Sequence, residues 1–217
     1  MKIKRCDQNG TSVEYNPFVY GAVGPSTTCL DVGCSDGLLG SVLIEQKNCV
    51  VDGLDFRPTA LDMARKQGYR QTYCIDLNKN VFDTNNRYDI VVCADVLEHL
   101  IHPLDTLKSL QHLLNDNGIM VISIPNIAFV QYRILHLIGK FDYCEEGGVM
   151  DATHLRFYTA KTIRSFCKDA GLQVIKLRGY NLVKKRYCFL KLLGLLWPKM
   201  FCLQFLVLAQ KTTQPEK

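Results

Sequence analysis

Three groups of side chains in this 217-residue chain carry chemistry by type and spacing. The first is Asp95-Val96-Leu97-Glu98-His99-Leu100, two carboxylates and an imidazole directly after the apolar run Tyr88 to Ala94. Leu97 and Leu100 read as core, so Glu98 and His99 open a helix and His99 borders whatever is bound. The second is Ala152 to Tyr158, ATHLRFY. The His154 imidazole suits removal of a hydroxyl proton, and the Arg156 fork suits a carboxylate or phosphate. A turn in which both side chains satisfy backbone carbonyls is the competing account. The third group is Thr27 to Gly40, TTCLDVGCSDGLLG. It reads as a buried strand, Cys29 to Val32, then a bend, Gly33-Cys34-Ser35-Asp36-Gly37, then a helix from Leu38. A strand entering such a bend leaves bare backbone N–H groups at the carboxyl edge of a parallel sheet, which is a nucleotide-type pocket.

Glycine spacing decides which nucleotide. The dinucleotide fingerprint G-x-G-x-x-G needs a glycine where Ser35 stands, and Asp31 suits a cationic group better than a pyrophosphate. Gly33 and Gly37 leave room for close approach. Asp55 ends the next strand, where a βαβ unit sets an acid against vicinal sugar hydroxyls; the plainer alternative, compatible with the first, is that it caps a helix starting near Pro58. LDVGCSDGLLG resembles the first motif, D-x-G-x-G-x-G, of the class I S-adenosylmethionine-dependent methyltransferases, with the small Ser35 at the middle glycine. The resemblance implies S-adenosyl-L-methionine contacts from Asp31, Gly33, Cys34, Ser35 and Gly37 and from Asp55, Phe56, Leu77 and Ala94. It sets Asp76 at the adenine amino group.

DVLEHL is similar to the Glu-x-x-Glu-His of ubiquinone-pathway O-methyltransferases and small-RNA 2′-O-methyltransferases. That implies a divalent cation such as Mg2+ on Asp95, Glu98 and His99, completed by His154, where it would lower the pKa of a substrate hydroxyl. The Asn/Asp-Pro-Pro-aromatic run of nucleobase N-methylation is absent from this position. Ile124-Pro125-Asn126 followed by DATHLRFYT also resembles methyltransferases of bacterial glycan and lipopolysaccharide assembly. The catalytic candidates are therefore His154, His99 and Arg156. The implied activity is O-methylation of a glycan or lipid-linked sugar hydroxyl, with a quinone-type phenol as the alternative. A catalytically silent methyltransferase-like binding module is the rival from another class.

Strands alternating with helices would position these groups. Apolar runs predict strands over Cys29–Val32, Asn48–Asp55, Gln71–Ile75, Tyr88–Ala94, Ile119–Ile124, Leu172–Tyr180 and Met200–Lys211. Helices fall from Leu38, Pro58, Pro103 and Thr159, and a further apolar one over Ile127–Ile138. The class is α/β, a doubly wound, Rossmann-like, mostly parallel seven-stranded sheet. The resemblance adds an antiparallel last strand and a lid insertion after the fifth strand, about 127–158. Residues 1–26 read as an arm beside the pocket, with Pro17, Gly21, Gly24 and Pro25 breaking regular elements; 27–217 read as one methyltransferase domain.

Bulk properties narrow the setting. With 47% hydrophobic and 22% charged residues the chain supports one well-buried domain. The net charge of +5 is scattered apart from Lys184-Lys185-Arg186, which argues against a nucleic-acid footprint. Ten cysteines without a C-x-x-C pair, among them Cys29, Cys49, Cys74, Cys93, Cys167 and Cys202 in apolar runs, read as reduced buried thiols of a cytoplasmic protein. MKIKRCDQNGTS lacks the apolar core of a secretory signal. The apolar stretch 182–209 is interrupted by Lys191, Pro198 and Lys199, too often to span a bilayer. It reads as a helix plus the last core strand, or as a basic-rimmed segment making peripheral membrane contact.

Overall fold

Apolar runs without polar alternation must be covered on both faces, and that burial dictates the layers. The computed structural model describes residues 3–6, 12–145, 147–182 and 197–212. In chain order the elements are β1 Ile3–Cys6, β2 Ser12–Tyr15, α1 Pro17–Ala22, β3 Thr28–Val32, α2 Leu38–Lys47, β4 Val50–Asp55, α3 Pro58–Lys66 and β5 Gln71–Cys74. They continue with β6 Tyr88–Ala94, a 3₁₀ turn Leu97–His99, α4 Pro103–His112, β7 Leu114–Pro125, α5 Val130–Leu137, α6 Ala160–Asp169, β8 Leu172–Leu182, a short helix Pro198–Phe201 and β9 Cys202–Lys211.

The seven-stranded sheet has the order β5-β4-β3-β6-β7-β9-β8. Winding runs outward from β3 through β4 to β5, then returns to the other side of β3 at β6, so the switch point lies between β3 and β6. β9 runs antiparallel to both β7 and β8, as predicted. Leu30, Val32, Val91 and Ile122 pack on one face with Leu107 and Leu110 of α4 and Ile163 of α6. Cys29, Val51, Val92 and Val121 pack on the other with Val19 of α1, Leu43 of α2 and Leu61 of α3. Nearly all of β3, β4 and β6 is accordingly buried.

Several expectations are corrected. The arm is not irregular: β1 and β2 pair as an antiparallel hairpin, and α1 follows. Pro17 favours that helix because it stands at the first helical position, while Asn16 Oδ1 accepts from the Phe18 and Val19 amides. The strand predicted over Ile119–Ile124 begins earlier, at Leu114, and takes in Asn117-Gly118 at an irregularity between the Tyr88–Leu114 and Ile90–Ile119 pairs. The predicted helix 127–138 begins only at Val130, because Asn126 turns the chain first and accepts the Ala128 amide at 3.0 Å. Cys74 is exposed, since β5 is an edge strand. Lys184, Lys185, Arg186 and the rest of 183–196 lie outside the described residues. Among the described residues no helix is long and apolar enough to cross a membrane.

Candidate functional site

The bend after β3 is pinned to the end of β4: the Gly33 and Cys34 amides donate to Leu54 O at 2.7 and 3.0 Å. Gly33 has φ 69°, and a Cβ there would lie 2.7 Å from Val96 Cγ2, so no other residue fits. Ser35 takes φ 51°, the left-handed backbone for which glycine is the usual choice, and thus keeps the motif's geometry without its glycine. The space beside Gly37 belongs to the protein, not to a ligand: a Cβ would lie 2.7 Å from Ala64 Cα.

Below the bend, at the carboxyl ends of the strands, opens a cavity of about 480 Å3 whose walls include Gly33, Asp55, Phe56, Asp76, Leu77 and Asp95. That size suits a small-molecule cofactor. Among the described residues the wall does not include Asp31, Cys34, Ser35, Gly37 or Ala94. Asp31, 3% exposed, accepts the Tyr69 hydroxyl at 2.7 Å; that hydroxyl also accepts the Gly40 amide at 3.0 Å. Burial pushes the Asp31 carboxyl up to about 7, against the Tyr69 hydrogen bond. Tyr69 carried no sequence signal, since a tyrosine before an edge strand reads as ordinary core.

Asp55 does not cap α3, whose N-cap is Arg57. Its Oδ1 accepts the Arg57 amide and Nε at 2.9 and 3.1 Å, and its Oδ2 accepts the Ser35 amide at 3.0 Å. Burial alone would raise this carboxyl, but the Arg57 and Ser35 donors outweigh it and hold the pKa below the usual value. Asp76 lines the cavity and also forms a turn, accepting the Asn78 amide at 3.0 Å and pairing with Lys79 at 3.2 Å.

At the end of β6 the chain brings together residues far apart in sequence. Asp95 takes φ 56°, and its Oδ1 accepts from Ser123 Oγ at 2.8 Å and Gln204 Nε2 at 3.0 Å. Glu98 is 1% exposed, and neither carboxylate oxygen has a hydrogen-bond partner among the described residues. Burial first, and neighbouring Asp95 second, raise its pKa well above the usual value. The Glu98 carbonyl accepts the Leu155 and Arg156 amides at 2.8 and 3.1 Å, which fastens the lid to the 3₁₀ turn. His154 is buried with Nδ1 at 3.0 Å from Val149 O; donation there leaves the Nε2 lone pair. The His99 and His154 rings meet edge-on at 4.7 Å, and burial followed by the His154 neighbour lowers the His99 pKa. Ligand atoms of Glu98, His99 and His154 all lie within 4.8 Å of one another. Asp95, expected in that set, is not among them, and its Oδ1 is turned to Ser123 and Gln204. Arg156 follows the competing account: Nη2 donates to Ile101 O at 2.7 Å and Nη1 to Leu155 O at 3.2 Å.

A cavity at the switch point of a seven-stranded sheet whose β9 is inserted antiparallel is the arrangement of the class I S-adenosylmethionine-dependent methyltransferases. A family model described as a methyltransferase domain matches residues 16–177, and the chain belongs to that family. It is 28% identical over 163 residues to the ubiquinone biosynthesis O-methyltransferase of Haemophilus ducreyi, covering 70% of this chain and 67% of that protein. The fold is shared with an S-adenosylmethionine-dependent methyltransferase of Mesorhizobium loti at TM-score 0.63 and 15% identity, covering 90% of this chain and 96% of that one. It is shared as well with the 1,6-didemethyltoxoflavin-N1-methyltransferase of Burkholderia thailandensis, solved with S-adenosylhomocysteine, at TM-score 0.59 and 16% identity, covering 90% and 76%.

Proposed function

We propose that this S-adenosylmethionine-dependent methyltransferase methylates a hydroxyl oxygen of a quinone-type phenol, and that Glu98, His99 and His154 hold a divalent cation beside it. The observation that carries the cation reading is the Glu98 carboxylate, buried without a donor among the described residues and next to two imidazoles. Such a group is costly unless protonated or given a cation. One carboxylate with two imidazoles, His154 oriented through Nδ1 by a carbonyl, fits a borderline metal such as Zn2+ better than the oxygen-seeking Mg2+.

When bound, the cofactor supplies an electrophilic methyl on a sulfonium, and a cation lowers the pKa of the acceptor hydroxyl. The chain's own part is alignment and exclusion of water. Asp55 would accept the ribose hydroxyls, Asp76 would meet the adenine, and His154 would bring the lid onto the acceptor side. With its Nδ1 on the Val149 carbonyl and its ring beside Glu98 and His99, His154 would serve the cation rather than act alone as a base.

The phenol is supported by the similarity to the Haemophilus ducreyi enzyme and by a lid rich in exposed apolar side chains, Ile134, Leu137, Ile138 and Phe141. The sugar-hydroxyl reading drew on the likeness of Ile124-Pro125-Asn126 and DATHLRFYT to methyltransferases of glycan assembly, and the one anion-binding side chain of that stretch, Arg156, donates to two backbone carbonyls.

The test is transfer of isotope-labelled methyl from S-adenosylmethionine to a catechol and, separately, to a lipid-linked sugar, each with chelator and with metal added back. Methyl on the phenol oxygen, lost in chelator and in Glu98→Ala, supports the proposal. Label on the sugar alone replaces the acceptor, and transfer indifferent to chelator removes the cation. Cofactor binding without turnover on any hydroxyl leaves the silent binding module.

A further inference from the structure

Asp55 is fully engaged before any ligand arrives. Besides the two backbone amides, of Arg57 and Ser35, its oxygens accept Arg57 Nε at 3.1 Å and Arg57 Nη2 at 3.3 Å. The same Nη2 donates to Ser35 Oγ at 3.0 Å. A carboxylate offers about four acceptor positions, so a sugar diol can bind here only by displacing donors. The two amides are fixed by the bend and by the start of α3. The guanidinium is the displaceable partner, because its side chain is 48% exposed while that of Asp55 is 4% exposed. Ser35, the chain's departure from the glycine of the motif, is the third corner of this arrangement; a glycine there would leave Nη2 with Asp55 alone.

We propose that Arg57 and Ser35 form a clasp that competes with the cofactor's ribose for Asp55, so that cofactor binding opens the clasp and its strength sets cofactor affinity. The clasp rests on Asp55 being the ribose acceptor. Two backbone amides already hold the carboxylate in place, so the guanidinium is not needed to orient it. A half-exposed ion pair is weak, and its removal is worth about two- to five-fold in affinity. Screening weakens the clasp further as salt rises.

Calorimetric titration with S-adenosylhomocysteine tests this on the full chain and its Arg57→Ala, Ser35→Gly, doubly substituted and Asp55→Asn variants. Arg57→Ala is expected to bind about two- to five-fold tighter. Ser35→Gly should gain less, the double variant no more than Arg57→Ala, and the gap to wild type should narrow in high salt. Weaker or unchanged binding by Arg57→Ala, with binding lost in Asp55→Asn, overturns the clasp and makes Arg57 an organiser of the site. Unchanged binding by Asp55→Asn instead overturns the ribose reading beneath it.

Discussion

Replacing Glu98 by methionine should stabilise the cation-free protein and destabilise the cation-loaded one relative to wild type. Glu98 is 1% exposed with both oxygens unpartnered among the described residues, and Leu97 and Leu100 beside it are core. An unpaired buried polar group costs about 1–3 kcal/mol, and methionine matches glutamate in length while removing that group. Taking about 2 kcal/mol, the variant should melt about 4–8 °C above wild type in chelator, given the size of the domain. At a cation concentration about a hundred times Kd, wild type gains about 2.7 kcal/mol and the variant, lacking a ligand, gains little, so the order inverts. Scanning calorimetry in chelator and across a Zn2+ or Mn2+ series reads both halves. Glu98→Gln, neutral but still unpaired, should show no gain in chelator. The reasoning is refuted if Glu98→Met melts below wild type in chelator and cations raise both proteins equally.

Asp31 gives the pH dependence. Its folded pKa, raised by burial from 3.8 to about 7, lies above the unfolded value, so its contribution is fully present below about 3.8 and is lost as pH rises through about 7. Between pH 8.5 and pH 6 wild type should gain about 1.4 kcal/mol relative to Asp31→Asn in denaturant titrations; parallel curves would show that burial does not control this carboxyl. Asp55→Asn should weaken S-adenosylmethionine binding by about 10- to 100-fold, read by calorimetric titration, because it removes a charged acceptor, and should lower the melting temperature as well, because its NH2 group would face the Ser35 or Arg57 amide donor. Tyr180→Phe deletes a hydroxyl at 2.6 Å from both Asn16 Nδ2 and Ser123 Oγ. It should cost about 1–2 kcal/mol in urea unfolding, and no loss would mean that water replaces the hydroxyl freely.

The central sheet was legible because its inner strands are apolar runs between turn residues. VVDGLD and YDIVVCA are bounded by Asn48 or Arg87 on one side and by Asp55 or Asp95 on the other. The β1–β2 hairpin left a signal, since SVEY alternates polar and apolar residues and Asn9-Gly10 stands between the strands, but strands this short, one of them with Lys4 and Arg5 at its centre, read as part of an arm. Strand alternation places Asp31 on the face of Cys29, but only packing reveals that α2 and α3 cover that face and that Tyr69 fills it. Glu98 and His99 were visible as a pair. Their meeting with His154 depends on the lid amides docking on the Glu98 carbonyl, a contact that no local pattern encodes. Arg57 escaped notice because its competition for Asp55 depends on a side-chain conformation.

Asp95 and Glu98 stand three positions apart at one strand end in opposite surroundings, and this difference bears on how the site would load. Asp95 has hydroxyl and amide donors from Ser123 and Gln204 and takes φ 56°. Glu98 has burial and a neighbouring carboxylate, which favour its neutral form. Environments that separate two carboxyl groups in this way give them separate roles. In the proposed reading Asp95 contributes negative charge to the wall of a cavity that receives a sulfonium, while Glu98 keeps its proton until a cation displaces it. Cation binding would then release a proton without altering the charge at Asp95, so the electrostatic attraction for the cofactor survives in the cation-free protein.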